Sequence, residues 1–320
     1  GLVNDVFEDH EATLAAAHLA LWRAGIVVPG DLAPKVLEGA RDMMRNAVEA
    51  SLAAIALKPL GNTLLDTSLR QRIDLAITRA IRAAGLLKPR PPGGRSRLGG
   101  FFGNVRDQRY ALQAANDLLP KDLLPVLASL TAHDQVAEQA RLTAFIGQPV
   151  RSSDDWLDHI LSGARWSTDW IQSLALNAVA ATRPDEAYAL IDRLKSPGPA
   201  LSNAIETLDA PRRGEETMAL STIEKVLILK SADLFHLVPD EDLAEIASHM
   251  ESLYLDPDEV VIRQGDIGDE LYILVSGAVR VEIDGADKGA MPEGAVFGDL
   301  AALDPEPRAA TIITTEPSHA

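Results

Sequence analysis

The chain has 320 residues, with 47 acids against 30 bases, a formal net charge of −17 and no cysteine. That length suits two or three domains, and the missing cysteines exclude a disulfide framework and a thiolate metal site. No apolar run reaches the roughly 20 residues that a bilayer-crossing helix needs.

No signal-peptide layout opens the sequence, so a cytoplasmic protein is expected. The charge is unevenly placed. Residues 215–320 hold 23 acids and 6 bases, which equals the net charge of the whole chain, while residues 1–214 sum to zero. So acidic a C-terminal part is a poor candidate for nucleic acid.

The first two thirds read as successive amphipathic helices. Glu11 to Ala24 ends at Gly25 and Pro29. Leu32 to Leu57 carries Pro34 in its first turn, where a missing N–H costs nothing. Leu69 to Leu87 places Ile73, Ile77, Ala80, Ile81 and Ala84 on one face. Lys88 to Arg109 mixes basic residues with prolines and glycines and reads as a solvated linker. From Tyr110 the predicted helices shorten: 110–119, 123–130, 136–146, 156–163, 168–181, 185–194 and 200–208. Paired short helices at this period argue for an all-α solenoid in which each pair packs on its neighbours. The expected divisions are a helical region over 1–104, repeats over 105–214 and a distinct C-terminal domain over 215–320.

Thr222 to Leu229 and Asp240 to Met250 are helix-like, and the pattern then changes to short strands. Glu259 to Arg263 is followed by Gln264-Gly265-Asp266-Ile267-Gly268-Asp269, a turn rich in Gly and Asp. Leu271 to Val275 is a continuous apolar run, as in a strand buried on both faces. Val279 to Ile283 alternates, giving one wet face, and Asp284-Gly285 signals a hairpin.

Val296-Phe297-Gly298-Asp299-Leu300-Ala301-Ala302-Leu303, followed by Pro307-Arg308-Ala309-Ala310-Thr311, can hold one phosphate. Gly298 permits a tight turn and close approach. The residues after it can begin a helical turn with free N–H groups. Arg308 supplies a fork of donors for phosphate oxygens, and Ala309 and Ala310 leave room beside it. The order and spacing resemble the phosphate-binding cassette of cyclic nucleotide-binding domains, F-G-E-L-A-L, about five variable positions, then R-A-A-T. The strands and glycines from 253 onward resemble the jelly-roll β-barrel of that family, and the likeness covers roughly residues 220–320.

The resemblance implies a fold and a site. The fold is an α+β chain: an N-terminal helical array followed by a cyclic nucleotide-binding barrel with flanking helices. The implied ligand-binding residues are Phe297, Gly298, Asp299, Leu300, Ala301, Arg308, Ala309 and Ala310. Arg308 is expected on the cyclic phosphate and Asp299, in place of the usual Glu, on the ribose 2′-hydroxyl. Ala309, where Thr or Ser accompanies cGMP preference, points to cAMP. Family members continue beyond the R-A-A-T segment with further strand and a helix, so more chain is expected after Ala320.

Arg109 to Pro120 and Ser202 to Asp209 look like helices of bacterial HEAT-repeat proteins. In some of those, HEAT repeats and a cyclic nucleotide-binding domain follow a membrane transporter module. The implied partners are therefore a cyclic nucleotide, a transporter module in the same polypeptide at the inner face of a membrane, and a second copy of the chain. No metal is expected, since the histidines show no ligand spacing. Neither is catalysis, since no G-x-S-x-G, Walker loop or kinase signature occurs. Trp156, Trp166 and Trp170, close to Asp154, Asp155, Asp158 and His159, are expected to pack between helices. The alternative for the C-terminal domain is a barrel that has lost its ligand and serves protein contacts, which Asp299, Ala302 and the acidic charge favour.

Overall fold

A computed structural model describes residues 20–21, 24–88, 105–194, 197–214, 220–232, 234–298 and 307–320. The predicted helix over Glu11 to Ala24 and most of the basic linker lie outside these. The chain divides into two compact units, Gly1–Ala187 and Tyr188–Ala320.

The first unit is built on a hairpin of two long helices, α1 (Ala33–Leu57) and α2 (Thr63–Gly85). Pro34 stands in the first turn of α1. A 3₁₀ turn over Lys58–Leu60 and a left-handed Gly61 (φ 69°) reverse the chain. Asn62 then caps α2 by accepting from Leu65 N. The cap explains why α2 starts at Thr63 rather than at Leu69, where the apolar stripe becomes regular. Small residues line the buried faces: Ala40, Ala47, Ala50, Ala53 and Ala54 on α1, and Ala76, Ala80, Ala83 and Ala84 on α2. Small side chains let two helix axes approach closely.

Shorter helices follow: α3 (Val105–Leu118), α4 (Leu124–Leu130), α5 (Gln135–Ile146), α6 (Ser153–Leu161), α7 (Asp169–Thr182) and α8 (Pro184–Ile191). Caps set their starts, with Asp134, Ser152 and Thr168 each accepting from a first-turn N–H. Their placement differs from a solenoid's. α4, α5 and α6 pack on α1, and α3 and α7 pack on α2. The long hairpin thus gives most of the short helices a common core, whereas a solenoid pairs each repeat with its neighbours alone.

The three tryptophans are buried where α6 and α7 meet the hairpin. Trp166 Nε1 donates to the Glu49 carboxylate at 2.9 Å, and Trp170 Nε1 donates to Ser68 Oγ at 3.0 Å. Arg72 Nε donates to the Trp166 carbonyl at 2.8 Å. Indole rings fill volume while their one donor finds a buried acceptor, so packing accounts for this cluster, as expected.

The second unit contains α9 (Pro199–Asp209), α10 (Thr222–Ser231) and α11 (Asp240–Ser248), then eight short strands among the described residues. Ser221 and Glu224 form a capping box on α10. Lys230 of α10 pairs with the buried Asp240 at the start of α11. The strands are β1 (Tyr254–Leu255), β2 (Val260–Ile262), β3 (Tyr272–Ile273), β4 (Val279–Ile283), β5 (Ala286–Met291), β6 (Val296–Phe297), β7 (Thr311–Thr314) and β8 (Ser318–His319). All pairings are antiparallel.

The strands of the expected jelly-roll barrel do not close. They make a four-stranded sheet in the order β2-β7-β4-β5 and two separate pairs, β1-β8 and β3-β6. Two causes are visible. Four of the strands are only two residues long, and the register slips within β2 and within β4, where each slip interrupts the ladder. β5 is an exposed edge that carries Asp287 and Lys288, charges that discourage edge pairing. The predicted hairpin is present: Asp284 (φ 52°) and Gly285 (φ 73°) join β4 to β5. Ile262, Leu274, Val279, Phe297 and Ile312 form the core between the sheets.

Replacing Trp166 with Phe keeps a ring but removes one donor to Glu49. The expected cost is about 1–2 kcal/mol, read as a lower urea midpoint by far-UV circular dichroism. An unchanged midpoint would show that this bond contributes nothing.

Candidate functional site

Pairing of β2 with β7 sets Val260 opposite Ile313 and Ile262 opposite Ile312. The segments beyond that pairing, residues 264–270 and 307–310, therefore run side by side. Backbone bonds continue the pairing. Gly265 N donates to the Arg308 carbonyl at 2.9 Å, and Arg308 N donates to the Asp266 carbonyl at 2.8 Å. Gln264 N donates to Thr311 Oγ1 at 2.9 Å. These bonds fix the Arg308 backbone from both directions.

The Arg308 side chain is 6% exposed. Its Nη1 donates to the Gly298 carbonyl at 2.9 Å, and its Nη2 donates to the Glu270 carbonyl at 2.9 Å. Nη2 also reaches the Glu270 carboxylate, Oε2, at 3.1 Å. Burying a guanidinium is costly unless its donors are used and its charge is met. Two carbonyls and one carboxylate do so here.

Two glycines make room for it. A Cβ on Gly268 would lie 2.7 Å from Arg308 Nη2 and 3.0 Å from Nε. A Cβ on Gly298 would lie 2.8 Å from Nη1 and from the Glu270 carbonyl, and Gly298 has φ 82°. Only glycine adopts that backbone without strain and leaves the space. Below, β3 and β6 pair Tyr272 with Phe297, and the two rings stack at 5.3 Å. Burial pushes the Tyr272 hydroxyl pKa up, the Glu270 charge adds to this, and Arg308 opposes it.

The structure thus brings Phe297, Gly298 and Arg308 together. Ala309 and Ala310 follow directly, the first exposed and the second half-buried. Asp299, Leu300 and Ala301 lie outside the described residues. Glu270 and Gly268 belong to the site but were not singled out from the sequence. Gly268 was part of a predicted turn, and nothing in spacing alone joins position 270 to position 308. The β2–β7 register is the missing link.

The arrangement is a buried cation held by two carbonyls and one carboxylate. Among the described residues, Nε–H and one Nη1–H have no partner. Such a guanidinium can take an anion, and two glycines let backbone approach it. No group of three or more metal-ligating side chains occurs among the described residues, and no described helix is long and apolar enough to cross a membrane.

Residues 252–320 match the family model described as the cyclic nucleotide-binding domain. A cAMP-dependent protein kinase regulatory subunit of Mucor circinelloides f. lusitanicus is 29% identical over 225 residues, covering 67% of this chain and 47% of that protein. A cGMP-dependent protein kinase of Plasmodium berghei (strain Anka) is 45% identical over 60 residues, 19% of this chain and 7% of that protein. A solved structure described as the regulatory domain of Toxoplasma gondii PKA with cAMP is similar at 30% identity and TM-score 0.29, covering 31% of this chain and 39% of that chain. The chain spans less than half the length of the curated relatives it matches. Residues 252–320 therefore carry a cyclic nucleotide-binding domain, preceded by a helical region. These relatives give no support to the expected HEAT repeats, bacterial origin or transporter link.

Gly298→Ala places a methyl group against Arg308 Nη1 and forces an L residue to a positive φ. It is expected to cost about 1–3 kcal/mol, seen as a fall of several degrees in Tm. An unchanged Tm would show that the close approach at Gly298 is not required.

Proposed function

We propose that this chain is a non-enzymatic regulatory module that binds a cyclic nucleotide, cAMP in preference to cGMP, in a cytoplasmic setting. The observation that carries the reading is Arg308: a charged side chain buried against two glycines, inside a domain of the matching family. In this reading Arg308 holds the cyclic phosphate. Asp299 holds the ribose 2′-hydroxyl, and Gly298, Leu300, Ala301 and Ala310 contribute backbone amides or shape. Phe297 supports the turn from below through its stack on Tyr272.

The preference for cAMP rests on Ala309, which offers no hydroxyl to a guanine base, and on the likeness to a cAMP-dependent kinase regulatory subunit over 67% of the chain. The likeness to a cGMP-dependent kinase covers 19%. Binding acts by shifting populations. The ligand stabilises whichever arrangement of the strands and of α10 and α11 it binds better, by its difference in affinity and no more. The Lys230–Asp240 pair ties α10 to α11.

A second reading has its own observation. Glu270 already occupies Arg308, and the surrounding residues are strongly acidic, as in a domain that has given up its ligand and serves protein contacts. Calorimetric titration with cAMP and with cGMP separates the two. The regulatory reading expects saturable binding, tighter for cAMP, and a loss of about 100-fold or more in Arg308→Ala, equivalent to roughly 2–3 kcal/mol for a charge-assisted fork. No heat from either nucleotide at millimolar concentration would leave the protein-contact reading. Tighter binding of cGMP would reverse the assigned preference.

A further inference from the structure

Glu270 meets the same guanidinium that the phosphate is proposed to take, and the donor count at Arg308 shows what that implies. A guanidinium offers two forks to a planar or tetrahedral anion: Nε with Nη2, and Nη1 with Nη2. Nη2 belongs to both. Its two hydrogens are already assigned, one to the Glu270 carbonyl at 2.9 Å and one to the Glu270 carboxylate at 3.1 Å. A two-pronged phosphate contact therefore has to displace one of these two bonds.

The two bonds are not equally easy to give up. The carbonyl is backbone, two residues before Tyr272 in β3, which the β6 pairing and the ring stack hold in place. The carboxylate is held to Arg308 by one hydrogen bond, and its side chain is 63% exposed. An ion pair with one well-solvated partner is weak, and the freed carboxylate regains water. The guanidinium stays aimed without it, because the carbonyls of Gly298 and Glu270 hold Nη1 and Nη2. The space is also suitable. Gly268 faces the Nε–Nη2 fork, where a Cβ would lie 3.0 Å from Nε, 2.7 Å from Nη2 and 3.0 Å from Glu270 Oε2. Hydrogen in place of that Cβ leaves the fork and the carboxylate side by side.

We infer that Glu270 is a built-in competitor for the ligand: its carboxylate, which meets Arg308 Nη2, must swing away when a phosphate binds. This deepens the cyclic-nucleotide reading and rests on it. Glu270 lowers affinity in two ways, by occupying Nη2 and by repelling a second anion that arrives beside it. It also gives a buried cation an opposite full charge that its other described contacts do not supply. Affinity is thereby set by residue 270 as well as by the arginine itself.

The test is to titrate the full chain, wild type, Glu270→Gln and Glu245→Gln, with cAMP and with cGMP. Glu245 is an exposed acid on α11, and its replacement removes the same charge away from Arg308. Thermal unfolding of each empty protein confirms that it is folded. Glu270→Gln is expected to bind about 3- to 10-fold tighter and Glu245→Gln within about 2-fold of wild type. Binding by Glu270→Gln alone, with none by wild type, also supports the competitor. Equal affinities of wild type and Glu270→Gln overturn it and leave the nucleotide reading standing. Weaker binding by Glu270→Gln overturns it too, and makes Glu270 a positioning residue for Arg308. The same gain in both variants shows a general charge effect and overturns the specific competition. No binding by any of the three at millimolar nucleotide overturns the nucleotide reading and the competitor with it.

Discussion

The structure of the second unit is arranged around a positive charge that water barely reaches. A guanidinium buried this far is costly unless the chain satisfies it. That requirement accounts for several features that are otherwise unrelated. Gly298 needs its positive φ because its carbonyl and its missing side chain both serve the guanidinium. Residues 264–270 need a tight, glycine-containing path because two of their carbonyls, those of Asp266 and Glu270, receive donors from Arg308. Glu270 stands beside Tyr272, so the ring stack that fills the core also holds the carbonyl that faces Arg308.

The core that supports this is small. Ile262, Leu274, Val279, Phe297 and Ile312 are its buried members, with Val261, Tyr272, Val281 and Met291 packed against them. Ile262 sits on β2 and Ile312 on β7, the pair whose register brings the two arms of the site together. Packing and site geometry are therefore not separable: a slip of one residue between β2 and β7 would turn Ile312 out of the core and would part Arg308 from Gly265 and Asp266. In the first unit the same logic runs through helices. Glu49, a carboxylate on the long hairpin, accepts from Trp166 and faces His159 at 3.3 Å, so a polar contact fixes where α6 and α7 dock.

Much of this was readable in advance, for local reasons. Helix positions followed from apolar periodicity and caps: Ser152, Thr168 and Ser221 mark starts that lie within three residues of those expected. The Asp284-Gly285 turn and the β4 strand over Val279–Ile283 were legible because turn chemistry and alternation are encoded within a few residues. Arg308 and Gly298 were singled out by their spacing, and the structure sets the two in contact. What was not legible depends on contacts distant in sequence. The packing of short helices on the α1–α2 hairpin, in place of neighbour-only stacking, is set by which faces meet, and periodicity does not report that. The division into three sheets comes from strands too short, and too irregular in register, to continue one ladder. Glu270 was missed because its partner is 38 positions away, and an acidic residue beside a Gly-Asp turn reads as solvated surface.

The central claim is that the buried guanidinium of Arg308 is an anion site for which the Glu270 carboxylate competes. The most direct measurement is a crystal structure of the full chain grown with cAMP. The account predicts phosphate oxygens within hydrogen-bond distance of Arg308 Nε and Nη2, with the Glu270 carboxylate turned away and the Gly298 and Glu270 carbonyls still in place. A nucleotide bound elsewhere, or one bound in the cassette with Glu270 still on Arg308, would contradict it.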